Sequence, residues 1–401
     1  MIAENGGLPP QLGDRAAAGV APQGERREDS AMGARIARPA PPARDLAGQH
    51  RAAEYAITTI GTLGGDESGA VALNAAGQVA GTTTNANGNA RPFRWWHGAI
   101  NALSLPPGCA NGVACAINAA GQVVGFARDP ERGEQALRWE GGVALPLPGL
   151  IPRGESYATA INGPGIVAGS ARTATGELHA TRWQAGLPRD LGTLGGATSR
   201  AFGINDAGQI VGMAQDGRGT ARAAVWQGDE AQDLGTPTSC TSRALGINAG
   251  GLIVGSWLCA SHLRRPFLWA NGALVELALP PGCAGAEATA INAHGQIVGC
   301  GWDERGGQRA LLWTEGVALD LNTLLPPGSG WSLEWAGGIG DRSTIVGRGR
   351  HNEQPRAFLL APAYGPPSAR RDTAQEPRRD GDVREIATVR PPGLPLRRPE
   401  W

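Results

Sequence analysis

The side chains of this 401-residue chain that could bring chemistry to a site are its six His, six Cys and twelve Trp, together with acids gathered in short loops. His50, His97, His179, His262, His294 and His351 show no H-x-x-x-H spacing, and no Cys-x-x-Cys occurs, so neither a metal centre nor a metal cofactor is expected. There is no G-x-S-x-G elbow for a serine nucleophile and no glycine-rich phosphate loop leading from a strand into a helix, so no nucleotide cofactor is expected either. Acid pairs such as Asp129 and Glu131, or Asp303 and Glu304, lie in glycine-rich turns, where solvated loop charge is the plain reading. The tryptophans divide into two sets. Trp95, Trp139, Trp183, Trp226, Trp269 and Trp313 recur at intervals of 44, 44, 43, 43 and 44 residues, whereas Trp257, Trp302, Trp331 and Trp335 break that period.

The elements that would carry both sets follow from a repeated phrase. "AVALNAAGQVAG" from 70, "ACAINAAGQVVG" from 114, "AFGINDAGQIVG" from 201, "ALGINAGGLIVG" from 244 and "ATAINAHGQIVG" from 288 share an Asn-x-x-Gly between two apolar runs. That is the pattern of a type I turn followed by a left-handed residue, and each phrase reads as a β-hairpin. Anchored on Asn74, Asn118, Asn162, Asn205, Asn248, Asn292 and Gly340, seven copies follow one another at spacings of 44, 44, 43, 43, 44 and 48. The seventh turn, "GDRS", has glycine at its start and Ser343 at its end, and is expected to be the least regular.

Four residues before every anchor stands Ala, and two residues further on only Ala or Gly. By the strand period of two, one face of that strand is small and must lie close to another backbone. Twenty-one residues after each of the first six anchors comes the periodic Trp, with Leu360 at twenty in the seventh copy, and eight after every Trp a Leu. These fixed offsets describe a third and a fourth strand, with the Trp filling the gap between neighbouring units. Four antiparallel strands in about 44 residues are the period and strand count of a propeller blade. After Leu360 the chain reads "GPPSARRDTAQEPRRD", which cannot supply a fourth strand, while "YAITTIGTLGG" at 55–65 aligns with "PRDLGTLGG" at 188–196. The expected fold is therefore an all-β, seven-bladed propeller over 55–362, closed by strand 55–60 pairing into the last blade. Residues 1–54 and 363–401 are rich in Pro, Ala, Arg and acids, and are expected to be disordered.

The copy from 191 to 226, "LGTLGGATSRAFGINDAGQIVGMAQDGRGTARAAVW", resembles the HAF repeats, a family named for a His-Ala-Phe near the end of its unit, and the resemblance extends in weaker form over 55–362. The tripeptide itself is poorly kept: "HATRW" at 179–183 has His179 and Ala180, whereas Arg91, Arg222, Arg265, Arg309 or Arg356 stands at the His position elsewhere. The resemblance implies a bacterial extracellular repeat protein and brings no catalytic residues. An even Cys count suits an oxidising compartment, but the first residues show neither the basic start nor the apolar core of a secretory signal.

With 36 basic and 36 acidic residues the formal charge is +0, which gives no electrostatic case for nucleic acid or a membrane surface. No run of 18 apolar residues is present to make a membrane span. The expected function is a non-catalytic binding or scaffold module. The alternative is a polysaccharide lyase or glycoside hydrolase using loop Arg, Asp and Glu. Loops from strand two to three and from strand four to the next blade share one face of such a disc. On that face Trp257, Trp302 and Trp331, with Arg265, are expected to form a contact patch for a carbohydrate or protein partner. The competing expectation is that these Trp pack beneath their own loops. Among the Cys, strand pairing puts 240 opposite 260, one residue from a Cys240–Cys259 bridge. Cys109 with Cys115, and Cys283 with Cys300, are the remaining pairings if the thiols are not free.

Overall fold

Each Asn-x-x-Gly phrase forms the expected hairpin in the computed structural model, which describes residues 55–260 and 262–363. At the fourth copy the main-chain N–H of Asn205 donates to Gln209 O (3.1 Å) and that of Gly208 to Asn205 O (3.0 Å), with Gly208 at φ 81°. The strands assemble into seven four-stranded antiparallel sheets, the blades of a propeller. Blade 5 is typical, with strands Thr241–Ile247, Ile253–Leu258, Arg264–Ala270 and Ala273–Glu276 running from the axis outwards. Blade 7 takes three strands from Trp331–Ile339, Ile345–His351 and Gln354–Pro362, and its fourth, Tyr55–Ile60, from the other end of the described chain. The closing strand is antiparallel to its neighbour, with Ile60 opposite Ala357 and Tyr55 opposite Pro362, so closure is as the sequence implies. The expectation of disorder for the two tails falls outside the described residues.

The small face of each inner strand has a specific cause. Ala70, Ala114, Ala158, Ala201, Ala244, Ala288 and Ala336 are fully buried. Across the strand pair each faces a glycine, as Ala201 faces Gly212. A Cβ on Gly212 would come 1.9 Å from the carbonyl oxygen of Arg200, so no larger residue fits there. Trp139, Trp183, Trp226 and Trp313 are buried between blades. Three of them donate the indole N–H to a loop carbonyl of the preceding blade: Trp139 to Ser104 (2.6 Å), Trp183 to Pro148 (2.7 Å) and Trp313 to Ala278 (2.7 Å).

Two expectations are corrected. The seventh hairpin is as regular as the others, because its bonds are main-chain bonds: Gly340 N donates to Thr344 O (2.9 Å) and Ser343 N to Gly340 O (3.0 Å). Ser343 takes the left-handed conformation at φ 56°, held by its hydroxyl donating to Gln296 Oε1 (2.7 Å). Among the cysteines only Cys240 and Cys259 are bridged. Thr241 pairs with Leu258, which sets 240 opposite 259 rather than 260. Cys283 and Cys300 stay apart because the Cys283 sulfur packs where a Gly301 Cβ would be, and Gly301 points to the opposite strand face from Cys300. Cys109 and Cys115 are likewise free thiols.

Candidate binding face

Strand direction places the turns between strands two and three, and the connections from strand four to the next blade, at one end of the barrel of blades. The Arg or His at the naming position is spent on pinning those connections. Arg222 donates from Nε to Asp233 (3.0 Å) and from Nη1 to the carbonyl of Pro237 (2.7 Å), and its Nη2 reaches Thr236 O. His179 contacts Asp190 in the same way (2.9 Å), and Arg309 lies 3.6 Å from Asp320. Arg265 occupies this position in blade 5, 3.7 Å from Glu276, but both side chains are substantially exposed, at 39% and 48%. It therefore belongs to the repeat and does not break it, and it is the loosest of these pairs to a strand-four acid.

The three candidate tryptophans do not form one patch. Trp257 and Trp302 sit one register position apart, nine and ten residues after their anchors, and so point to opposite faces of their blades. Trp257 takes the place held by Ala127, Ala171 and Ala214 in earlier blades. It is 8% exposed, stacks on Phe267 with ring centroids 5.8 Å apart, and packs with Val211, Ala223 and Leu234 of blade 4 beside the disulfide. For Trp257 the contact-patch expectation gives way to the packing one, since a ring of this size buried against blade 4 offers no face to a partner. Trp302 ends the second strand of blade 6, half-buried, on the face turned towards blade 7. Trp331 begins the inner strand of blade 7, half-buried, on the face turned towards blade 6, with its ring stacked on His351 (4.9 Å) and edge-on to Phe358 (6.0 Å). Trp302 and Trp331 thus address one seam, at its loop end, from opposite sides.

Two charged groups were not singled out by sequence reasoning. Arg243 donates from Nε and Nη2 to the two carboxylate oxygens of Glu287 (2.7 Å each), which also accepts from the Ser256 hydroxyl (2.6 Å). Burial acts to raise the Glu287 pKa, but the Arg243 guanidinium, its hydrogen bonds and Arg264 outweigh it and hold the carboxyl below its ordinary range. The signal was available in the register: five residues before each anchor the side chain is unconstrained by the repeat, and there Arg243 and Glu287 fall in successive blades. On the opposite side of the ring, burial pushes the Glu134 carboxyl upward, Arg128 opposes this, and Glu155 adds to it. Among the described residues no cluster of three His, Cys, Asp or Glu could hold a metal ion, and no helix is long and apolar enough to cross a membrane.

No family model matches the chain, and no curated protein matches it. Among solved structures it is similar to YCF48 bound to D1 peptide, with a TM-score of 0.51 and 12% identity over 79% of this chain and 97% of that one. It is also similar to the BP39L lectin from Burkholderia pseudomallei (TM-score 0.44, 12% identity, 75% of this chain and 98% of that one). A third is the β-propeller domain of the Trilobed protease from Pyrococcus furiosus (TM-score 0.49, 9% identity, 75% and 94%). At such identities the likeness is one of fold: a β-propeller.

Proposed function

We propose that the chain is a non-catalytic binding module that holds a carbohydrate at the loop end of the seam between blades 6 and 7. The observation that supports this is the placement of Trp302 and Trp331 on facing sides of that seam, both half-buried, where the first three blades carry Thr84, Arg128 and Arg172 at the Trp302 register. Indole faces match the apolar face of a sugar ring and offer large contact area at small entropic cost. The residues that recur from unit to unit are used by the scaffold: Ala at the strand contact in all seven, and in the first six Asn and Gly in the turn and Trp and Leu between blades. The reading fits the resemblance of 191–226 to the extracellular HAF repeats, and two of the similar structures are described as a lectin and as a peptide complex.

A second reading, glycan cleavage, is favoured by Glu134, a carboxyl pushed towards its protonated form beside Glu155, the condition a general acid needs. A glycan array run beside a reducing-end assay separates the two. Bound glycan recovered intact supports the binding module, and release of reducing ends that is lost in Glu134→Gln supports the enzyme. A protein ligand is the outcome if the array is blank and a peptide library binds through the same two rings.

A further inference from the structure

The six Arg or His at the naming position share a register but not a set of partners. His179, Arg222, Arg265 and Arg309 each lie beside an acid at the end of strand four: Asp190, Asp233, Glu276 and Asp320. Arg356, with Thr59 at that place, donates instead to the main-chain carbonyl of Asp66. In blade 1 the place of the acid is taken by Ala102, which pairs with Phe93 as Asp233 pairs with Ala224. The connection that follows takes the same course in both blades. Leu103 N donates to Pro92 O (2.9 Å) as Leu234 N does to Ala223 O (3.0 Å), and Cys109 N to Pro106 O as Cys240 N does to Pro237 O (3.1 Å each). Arg91 is half-buried and has neither an ion pair nor a side-chain hydrogen bond among the described residues.

Arg91 lines a cleft of about 550 Å³ between this connection and the turn that joins strands three and four of blade 2, a volume in the range of small-molecule sites. It is the one charged side chain of the lining. The wall beside it is held in place: Ser104 N donates to Gly142 O (3.0 Å), and Ser104 O accepts from Trp139 Nε1 (2.6 Å). The Ser104 hydroxyl accepts from Ala144 N (2.9 Å), which leaves its own hydrogen for a ligand. Leu105 and Val143 add apolar surface, and Cys109 brings a free thiol. Asp129 and Glu134 act on that thiol, after burial, but neither lines the cleft. The planar fork of a guanidinium matches a carboxylate, and a carboxylate is what stands beside its counterparts in blades 4, 5 and 6.

We infer that the cleft between blades 1 and 2 is a binding site for a small carboxylate ligand, whose carboxylate pairs with Arg91 in the place that Asp233 takes beside Arg222. The Ser104 hydroxyl donates to the ligand, and Leu105 and Val143 cover its apolar part. The carboxylate chemistry is shared by a free small acid and by a uronic-acid residue of a glycan. This site uses none of the residues of the Trp302–Trp331 seam, so either can fail without the other.

Calorimetric titration of the whole chain with succinate, methyl glucuronide, methyl glucoside and inorganic phosphate tests the site. A carboxylate is expected to bind saturably at concentrations on the order of 10 mM or below, and methyl glucoside not at all. Succinate binding, alone or with the glucuronide, marks the free acid as the source; methyl glucuronide binding alone marks the glycan. Arg91→Gln should weaken the binding by about tenfold or more. Ala102→Asp supplies the acid from the chain itself and should abolish it. Ala102 is exposed and Arg91 has no partner to lose, so both variants should melt at the wild-type temperature or above it, and a fold defect is not mistaken for the effect. Because Cys109 lines the same cleft, saturating ligand should slow its alkylation and leave that of Cys283 unchanged. Carboxylate affinity undiminished in either variant would overturn the proposal, as would Cys109 labelling indifferent to saturating ligand, phosphate binding without carboxylate binding, or no binding by either acid.

Discussion

The side-chain Nδ2 of Asn74 donates to the main-chain carbonyl of Asn118, 3.0 Å away and one blade further round the ring. The same bond runs from Asn118 to Asn162, from Asn162 to Asn205, from Asn205 to Asn248, from Asn248 to Asn292 and from Asn292 to Gly340, at 3.0 to 3.2 Å. Each anchor therefore fixes its own turn through Oδ1, as Asn74 does by accepting from Gln78 N (3.0 Å), and also ties its blade to the next. The seventh link, from position 340 to Asn74, lacks a side chain to make it.

Gly340→Asn should supply that link. Gly340 is not in the left-handed conformation, and an added Cβ would meet only Leu73 and Thr344 at 3.5 Å or beyond. One buried neutral hydrogen bond is worth about 1 kcal/mol, so calorimetry should show the melting temperature rise by roughly 2 °C. A fall would mean that the seam where the ring closes cannot accept the side chain.

Cys240→Ser should destabilise the fold by about 3 kcal/mol, the scale for a bridge closing a short loop, since Cys240 and Cys259 are 19 residues apart. The four free thiols should behave differently from one another. Burial pushes Cys115 up to about 12 and Cys300 further in the same direction. Alkylation of the folded protein at pH 8 should therefore spare Cys115 and Cys300 while Cys109 and Cys283 react slowly, and peptide mapping after the reaction reads this directly. Rapid labelling of Cys115 would show that its burial is misassigned.

Trp257→Ala should cost about 3 to 5 kcal/mol, the range for removing a large aromatic from a core, because the ring stacks on Phe267 and packs on blade 4. Denaturant unfolding measures it, and a loss below 1 kcal/mol would place the ring at the surface.

Glu287→Gln leaves Arg243 without its counter-charge in a buried setting, and should cost about 3 kcal/mol or more. The folded-state pKa of Glu287 lies below its ordinary value, so its ionised pair stabilises the fold above the unfolded-state pKa and is lost as the pH falls through the folded-state pKa. Wild-type melting temperatures should therefore drop from about pH 4 downward, and the Glu287→Gln variant should show a shallower acid limb. Parallel limbs would remove Glu287 from the account of acid sensitivity.

Architecture was legible because it is written seven times. The Ala before each turn, the turn itself, the Trp and the Leu each have one physical task, and fixed spacing exposes the task; Ile60 aligning with Leu191 was enough to locate the closing strand. The candidate site was less legible because it depends on which face a residue takes. Trp257 and Trp302 look alike in sequence, but a shift of one register position turns one ring inward against blade 4 and the other towards blade 7. Arg265 looked free because its partner acid, Glu276, is set by pairing between the third and fourth strands. Arg243 and Glu287 meet only across a blade boundary, 44 residues apart.

The central claim, that ligand is held by Trp302 and Trp331 at the blade 6–7 seam, is tested most directly by probing one glycan array with the wild type, Trp257→Phe and the double variant Trp302→Ala/Trp331→Ala. The account predicts that the wild type and Trp257→Phe label the same glycans, and that the double variant, folded by circular dichroism, labels none of them. A folded double variant that labels those glycans at wild-type intensity would contradict it.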